Sequence, residues 1–261
     1  MFRKIFSLGR LIVVVIMSPM VRISEIGLYL RCPRLVYFQN LGSMPVAEDT
    51  GSMLLRSLMQ SLSSAPSWEV SEVDLHSLLS ENLSRLEQEL PLVYEIDAAD
   101  LNSACRDLEE HLDAISQGLA RYLDRLLPCE VDIDLRSEKL GLSGRLDRMV
   151  SKAVPSLIRT GKAPQEGIWK RDRIMLSGYA LLLGEREKRH IEIGMVEYAR
   201  AGLVRTVEIH GIDRARVLRI RDRVRLIKQG RLPDRPENAP CQGCRAAETC
   251  QTRHSLASKF F

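Results

Sequence analysis

The hydrophobic pattern of the first half of the chain is helical. Apolar residues recur at steps of three and four over 71–90 and over 97–127, which is the spacing of one face of an α-helix. Shorter helices are predicted over 25–30, where Ser24 supplies a cap, and over 51–62. We therefore expect this half to be built from helices.

The pattern changes at Pro128. Apolar and acidic residues alternate over 131–135, as in a half-buried strand, and 141–150 is predicted to return as its hairpin partner. Further strands are predicted over 154–160, 191–200 and 203–210, and helices over 167–186 and 213–229. This order predicts an α/β fold in which helices flank a mixed sheet.

Three of the six cysteines lie within ten residues near the end of the chain. Cys241, Cys244 and Cys250 have the spacing C-x2-C-x5-C, and Gly243 allows a tight turn that brings neighbouring thiolates toward one centre. Such clustering indicates metal ligands rather than the disulfide framework of a small secreted module. The alternative is three unrelated thiols in a loop.

A four-thiolate site needs a fourth ligand from elsewhere in the chain. Cys32 is the best candidate, because it stands beside Pro33 and outside any apolar stripe. Cys105 lies in the apolar stripe of a long helix, and Cys129 begins a strand. Four thiolates can hold either an iron–sulfur cluster or a structural zinc ion, so the spacing leaves both open.

The segments around these cysteines resemble a known family. Residues 23–38, which include Tyr-Leu-Arg-Cys-Pro-Arg, are similar to the opening of the CRISPR-associated RecB-like exonucleases that carry a [4Fe-4S] cluster, and the late cysteines are similar to that family's end. The resemblance implies a PD-(D/E)XK, restriction-endonuclease-like core. It also implies the cluster ligands Cys32, Cys241, Cys244 and Cys250.

Between the cysteines, three segments resemble the family's catalytic motifs. Residues 144–147 are similar to its G-x-x-D strand, 160–162 to the segment after its (D/E)-x-K strand, and the helix around Tyr179 to its Q-x-x-x-Y helix. The resemblance implies that Asp147, Lys162 and Tyr179 are the surviving catalytic positions.

The other polar positions of these motifs are changed. Leu157 stands in place of the second acid, Arg159 of the lysine, Leu55 of the histidine and Met175 of the glutamine. Phosphodiester hydrolysis needs a divalent ion held by carboxylates, and a guanidinium group is a poor general base. The resemblance thus implies a degenerate nuclease with weak or no activity, for which Mg²⁺ or Mn²⁺ matters only if activity survives.

Two other functions also fit the residues. An active metal-dependent DNA exonuclease that trims prespacer ends could recruit Asp132 or Asp134 beside Asp147, although their alternation with apolar residues also suits a solvated strand face. A zinc-stabilised interaction module would use the cysteines alone.

The charge pattern favours DNA as a partner. The net charge of +4 permits nucleic-acid binding without requiring it. On the last helix seven cations face only two acids, and Arg216, Arg219 and Arg223 are predicted to contact phosphates. The resemblance adds the CRISPR integrase proteins, which act in antiviral defence, as partners.

The predicted organisation has four parts. They are an over-extended start outside the fold (1–20), a helical region with the first cluster cysteine (21–127), the RecB-like core (128–230) and the iron–sulfur region (231–261). The apolar run near the start is too short to cross a bilayer, which takes about 20 residues. We expect a cytoplasmic protein without membrane contact, since irregular free thiols suit a reducing compartment.

Overall fold

The computed structural model describes residues 5–8, 11–14, 19–44, 49–64, 72–151, 153–244 and 246–250. A short hairpin comes first, formed by β1 (Ile5–Leu8) and β2 (Leu11–Val14). Six strands then form one mixed sheet: β3 (Val21–Arg22), β4 (Cys129–Ser137), β5 (Leu142–Val150), β6 (Val154–Arg159), β7 (Ile193–Tyr198) and β8 (Leu203–Glu208). The expected α/β fold with a mixed sheet is confirmed.

Strand β5 pairs with three other strands of the sheet. Strand β4 pairs with it antiparallel along its length, while β3 pairs parallel with its start and β6 antiparallel with its end. Strand β7 then pairs parallel with β6 and antiparallel with β8. On the side of β5 that faces away from β4, residues 144–147 therefore lie between the part paired with β3 and the part paired with β6.

Helices cover both faces of this sheet. They are α1 (Ile23–Arg31), α2 (Pro33–Asn40), α3 (Thr50–Ser61), α4 (Glu72–Val93), α5 (Ala98–Ala120), α6 (Leu123–Leu126), α7 (Lys170–Arg186) and α8 (Gly211–Lys228). Helices α3 to α5 share one apolar core, and α1, α7 and α8 share the other. Within the described ranges, none of the helices has the length and apolar character needed to cross a membrane.

Two local predictions were wrong. The helix expected over 97–127 is broken, because Tyr122 leaves the helical conformation (φ −125°, ψ 0°) and α6 then turns Leu123 and Leu126 into the core. Helix α1 begins after Arg22, not after Ser24. Its start is stabilised by the Glu25 side chain, which accepts a hydrogen bond from the Arg22 backbone N–H at 2.7 Å.

Gly144 sets how closely α1 and α7 approach β5. A side-chain carbon at this position would lie 2.9 Å from Cε1 of Tyr179 and 3.1 Å from Cγ1 of Ile23. Both distances are shorter than ordinary van der Waals contacts between carbon atoms. The glycine of the G-x-x-D segment thus allows Tyr179 to lie against the strand that carries Asp147.

A fully buried ion pair joins the central strands. The Arg148 side chain on β5 lies 3.0 Å (Nε to Oε1) from Glu197 on β7, and neither side chain is exposed. Ser156 Oγ on β6 donates to Glu197 at 2.7 Å, and Arg148 donates to the Met59 carbonyl and to Cys129 Sγ. Burial lowers the Arg148 pKa, but the charge of Glu197 raises it and the net shift is upward, so Arg148 is charged.

Candidate functional site

Four cysteines from opposite ends of the chain line one cavity. They are Cys32, Cys241, Cys244 and Cys250. The rest of the lining is largely apolar: Leu35, Phe38, Ala239, Pro240, Ala246 and Ala247, together with Arg34 and Arg235. The four cysteines proposed as ligands from the sequence therefore line the same cavity.

Cys32 is held at the junction of two helices. Its backbone is extended (φ −164°, ψ 124°) and its N–H donates to the Leu28 carbonyl at 2.9 Å, which ends α1. Pro33 begins α2, where its missing N–H costs nothing. The Cys32 side chain is buried beside Leu35 and Phe38.

The three late cysteines lie on a turn and a short helical segment. Gly243 adopts a left-handed backbone conformation (φ 67°), and the Cys244 N–H donates to the Cys241 carbonyl at 3.2 Å. The Cys250 N–H donates to the carbonyl of buried Ala246 at 2.9 Å. As predicted, the glycine provides the turn between the first two of these cysteines.

Arg34 donates a hydrogen bond to one of the cysteine sulfur atoms that line the cavity. This buried guanidinium donates from NH1 to Cys250 Sγ at 3.2 Å and from Nε to the Pro233 carbonyl at 3.0 Å. Hydrogen bonds to ligand sulfurs tune the reduction potential of iron–sulfur clusters. Sequence reasoning missed Arg34, although its place two residues after Cys32 was a usable signal.

The four cysteines of the cavity form a set of sulfur donors. All six cysteines have free thiols, and the cavity offers four of them in a mostly apolar shell. Among the residues that the structure describes, no three histidine, cysteine or acidic side chains are placed to hold a single metal ion. In its chemistry the set fits a group bound by four thiolates.

Cys105 has the core role expected for it. It is buried among the apolar residues between α3, α4 and α5. Burial, with smaller contributions from Glu87 and Glu109, raises the pKa of its thiol to about 11. A thiol with such a pKa stays protonated near neutral pH, which makes it a poor metal ligand.

Asp147 is engaged by protein groups on both carboxylate oxygens. Its Oδ1 lies 2.5 Å from NH1 of Arg56 on α3, and its Oδ2 accepts the backbone N–H of Ile158 at 2.9 Å. The pair is only partly exposed. A guanidinium group thus lies at the carboxylate where the resemblance would place a divalent cation.

The four changed positions divide into two kinds. Leu55 and Leu157 are buried in the apolar cores and offer no ligand atom. Arg159 instead forms an ion pair with Asp172, with Nε and Oδ1 2.7 Å apart, and its NH2 lies 3.5 Å from the Met175 sulfur. The carboxylate of Asp172 is thus paired with the guanidinium group of Arg159.

The structure brings Tyr179 to this region and leaves Lys162 outside it. Tyr179 is buried and its hydroxyl donates to the Arg145 carbonyl at 2.7 Å. Burial, and then the negative charge of Asp147, raise the Tyr179 pKa, so the phenol is neutral. Lys162 lies on an exposed loop, where its carbonyl accepts the Trp169 indole N–H at 3.0 Å.

Asp132 lies opposite Asp147 in the β4–β5 register, because the residues on either side of it pair with Arg148 and Leu146. Both acids line one groove with Arg56 and Arg145. Asp132 accepts a hydrogen bond from Gln60 at 2.8 Å and lies 3.3 Å from the Arg145 guanidinium. Asp134 is exposed on β4.

The chain has detectable similarity to a few known proteins. No family model matches the chain. The chain is 27% identical over 246 residues to an uncharacterized protein of Archaeoglobus fulgidus, a match that covers 92% of this chain and all of that protein. The crystal structure of SSO0001 aligns with 76% of this chain and 94% of its own, with a TM-score of 0.37 and 19% identity.

The cations of α8 divide into inward and outward groups. Four of the seven donate to backbone carbonyls: Arg214 to Ile209, Arg221 to Leu140, Arg225 to Pro19 and Lys228 to Met20. Residues 19 and 20 therefore contact the fold, although the sequence placed them outside it. Arg219 and Arg223 are exposed, and Arg216 pairs with Asp213 at 3.4 Å.

Proposed function

We propose that this chain is a CRISPR-associated, RecB-like iron–sulfur protein that binds DNA and the spacer-integration proteins, with weak or no nuclease activity. One observation carries the proposal: the four cysteines matched to the family's cluster ligands come from both ends of the chain and line one cavity. A PD-(D/E)XK core is part of the proposal, supported by the mixed sheet with Asp147 on β5, the strand that has three partners.

The cysteines would hold a [4Fe-4S] cluster, which would act as a cross-link between α2 and the C-terminal region. Arg34 supports this assignment, since it donates to Cys250 Sγ and is itself fixed by the Pro233 carbonyl. A cation at this position would stabilise the negative charge of the thiolate. Such a cluster has a structural role here and needs no part in chemistry.

Weak or absent catalysis follows from the contacts of Asp147. Mg²⁺ needs oxygen ligands in near-octahedral geometry, and Leu157 supplies none. Arg56 would have to leave Asp147 before a cation could bind, and the pair is already at 2.5 Å. Binding of DNA without cleavage is the activity that these residues support best.

The DNA surface includes the outward arginines of α8. Arg216, Arg219 and Arg223 would contact phosphates, and such contacts carry affinity without sequence preference. Integrase proteins enter as partners only through the resemblance. A reducing cytoplasm remains the expected location.

A metal-dependent exonuclease is the second candidate. It is favoured by a specific observation, namely that Asp132 and Asp147 line the same groove. Two carboxylates on neighbouring strands could share one divalent ion if their arginine partners moved away.

We expect no cleavage of single- or double-stranded DNA above a mock preparation, with either Mg²⁺ or Mn²⁺. The measurement is a gel assay on end-labelled DNA, with Asp147→Ala and Asp132→Ala as matched variants. Robust wild-type cleavage that disappears in both variants would establish the exonuclease instead.

Variants that restore the family's residues test whether Arg56 blocks metal binding at Asp147. Leu157→Glu with Arg159→Lys restores the family's residues but leaves Arg56 on Asp147. Adding Arg56→Ala should therefore increase Mn²⁺ binding well beyond that of the double variant, as measured by calorimetry. Equal Mn²⁺ affinity with and without Arg56 would show that this arginine does not block the site.

A further inference from the structure

A cluster of arginines surrounds one buried carboxylate at the start of α7. Asp172 is only 1% exposed and pairs with Arg159 at 2.7 Å, while the guanidinium of Arg171 lies 3.8 Å away. About half of the Arg171 side chain remains exposed. The Asp172 carboxylate thus lies near two arginines, and one of them, Arg171, is partly exposed to solvent.

Arg31, the exposed last residue of α1, is close enough for its positive charge to act on Arg171. Burial lowers the Arg171 pKa, and the positive charges of Arg159 and then Arg31 lower it further, against the attraction of Asp172. Arg171 is thus repelled by two neighbouring cations while it is attracted by Asp172. An anionic ligand would relieve this repulsion.

An exposed aromatic ring is fixed beside the arginines. Trp169 is 50% exposed, yet its indole N–H is held by the Lys162 carbonyl at 3.0 Å. Its backbone N–H donates to the Tyr198 hydroxyl at 3.3 Å, and that hydroxyl lies 3.5 Å from Asp172. Hydrogen bonds through Tyr198 thus connect the backbone of Trp169 to the carboxylate of the cluster.

The loop that carries Trp169 is also anchored. Arg205 donates to the carbonyls of Gly167, Pro164 and Gln165, and its guanidinium lies 5.8 Å from the Tyr198 ring centre. These bonds fix the loop through backbone atoms. A ligand would therefore meet a surface that is already ordered, which lowers the entropy cost of binding.

Guanidinium groups recognise phosphate, and indole rings stack on unpaired bases. We propose that Arg31, Arg159 and Arg171 bind a backbone phosphate of single-stranded DNA, and that Trp169 stacks on an adjacent base. This rests on the proposed function and names its DNA site. The arginine that replaces the catalytic lysine then acts in binding.

The first test uses Trp169 as its own probe. The chain has two tryptophans, so Trp68→Phe leaves only Trp169. Titration with a fluorescein-labelled oligo-dT should quench the Trp169 emission over the same concentration range that raises the anisotropy of the fluorescein. Saturable binding that leaves the Trp169 emission unchanged would exclude stacking at this site.

The second test removes the charges. Arg31→Gln with Arg171→Gln should weaken binding of oligo-dT at least ten-fold and reduce the slope of log K against log salt by about 0.7 to 1.4. The matched control, Arg85→Gln with Arg106→Gln on α4 and α5, removes the same charge from another part of the surface. It should change the affinity less than two-fold, with unfolding curves confirming that both variants are folded.

The outcomes separate this site from the proposed function. A wild-type protein that binds no DNA would overturn both. Wild-type binding that Arg31→Gln with Arg171→Gln leaves unchanged, but that Arg216→Glu, Arg219→Glu and Arg223→Glu together abolish, would overturn this site alone. Tighter binding of duplex DNA or of poly-glutamate than of oligo-dT would also overturn it, since stacking needs an unpaired base.

Discussion

Replacing Cys32 or Cys244 by serine is expected to abolish metal binding and to release the C-terminal region from α2. The reason is that their shared apolar contact is small, formed mainly by Leu35, Phe38 and Ala246. A bound cluster that joins opposite ends of a chain stabilises it as a long-loop cross-link does, by about 5 kcal/mol. Metal content and urea unfolding of the anaerobic protein measure both effects.

Cys105→Ala is the matched control for these substitutions. It removes a buried thiol from the helical core, where it should cost packing energy of about 1 kcal/mol. Its metal content should equal that of the wild type. If Cys32→Ser, Cys244→Ser and Cys105→Ala lost metal equally, the ligand assignment would be wrong.

Arg148→Met is expected to destabilise the protein by about 3 to 5 kcal/mol, because it leaves the carboxylate of Glu197 buried without its cation. The Met59 carbonyl also loses a hydrogen-bond donor. Urea unfolding monitored by circular dichroism gives the free energy of unfolding of each variant.

The double variant Arg148→Met with Glu197→Gln shows whether the two charges are coupled. It buries no unpaired charge, so it should be less destabilised than the sum of the two single variants. Additive effects would mean that the two side chains stabilise the sheet independently, contrary to the 3.0 Å contact between them.

Hydrophobic periodicity predicted most elements of the fold to within a few residues. The strand expected over 141–150 is β5, and the helix expected over 213–229 is α8, displaced by one or two positions. Helix α8 presents one regular apolar face to a core, which is the property that a periodic pattern records. The two-residue strand β3 was missed, because two residues cannot display a period.

The three late cysteines were predictable as a group because ligand spacing is a local property of the sequence, whereas Cys32 was selected by its place beside Pro33 and by the resemblance. The partner of Asp147 was not predictable, since Arg56 lies 91 positions away and many other arginines were available. Counting charges on α8 also overstated its free surface, because a sequence does not show which arginines reach backbone carbonyls. In both cases the missing information was tertiary distance.

The central claim is that the four cysteines hold an iron–sulfur cluster. Its most direct test is the iron, acid-labile sulfide and zinc content of protein purified anaerobically from cells grown with ample iron. A brown protein with about four irons and four sulfides per chain is the predicted result. A colourless protein with one zinc and no iron per chain would contradict it and assign the cysteines to a structural zinc site.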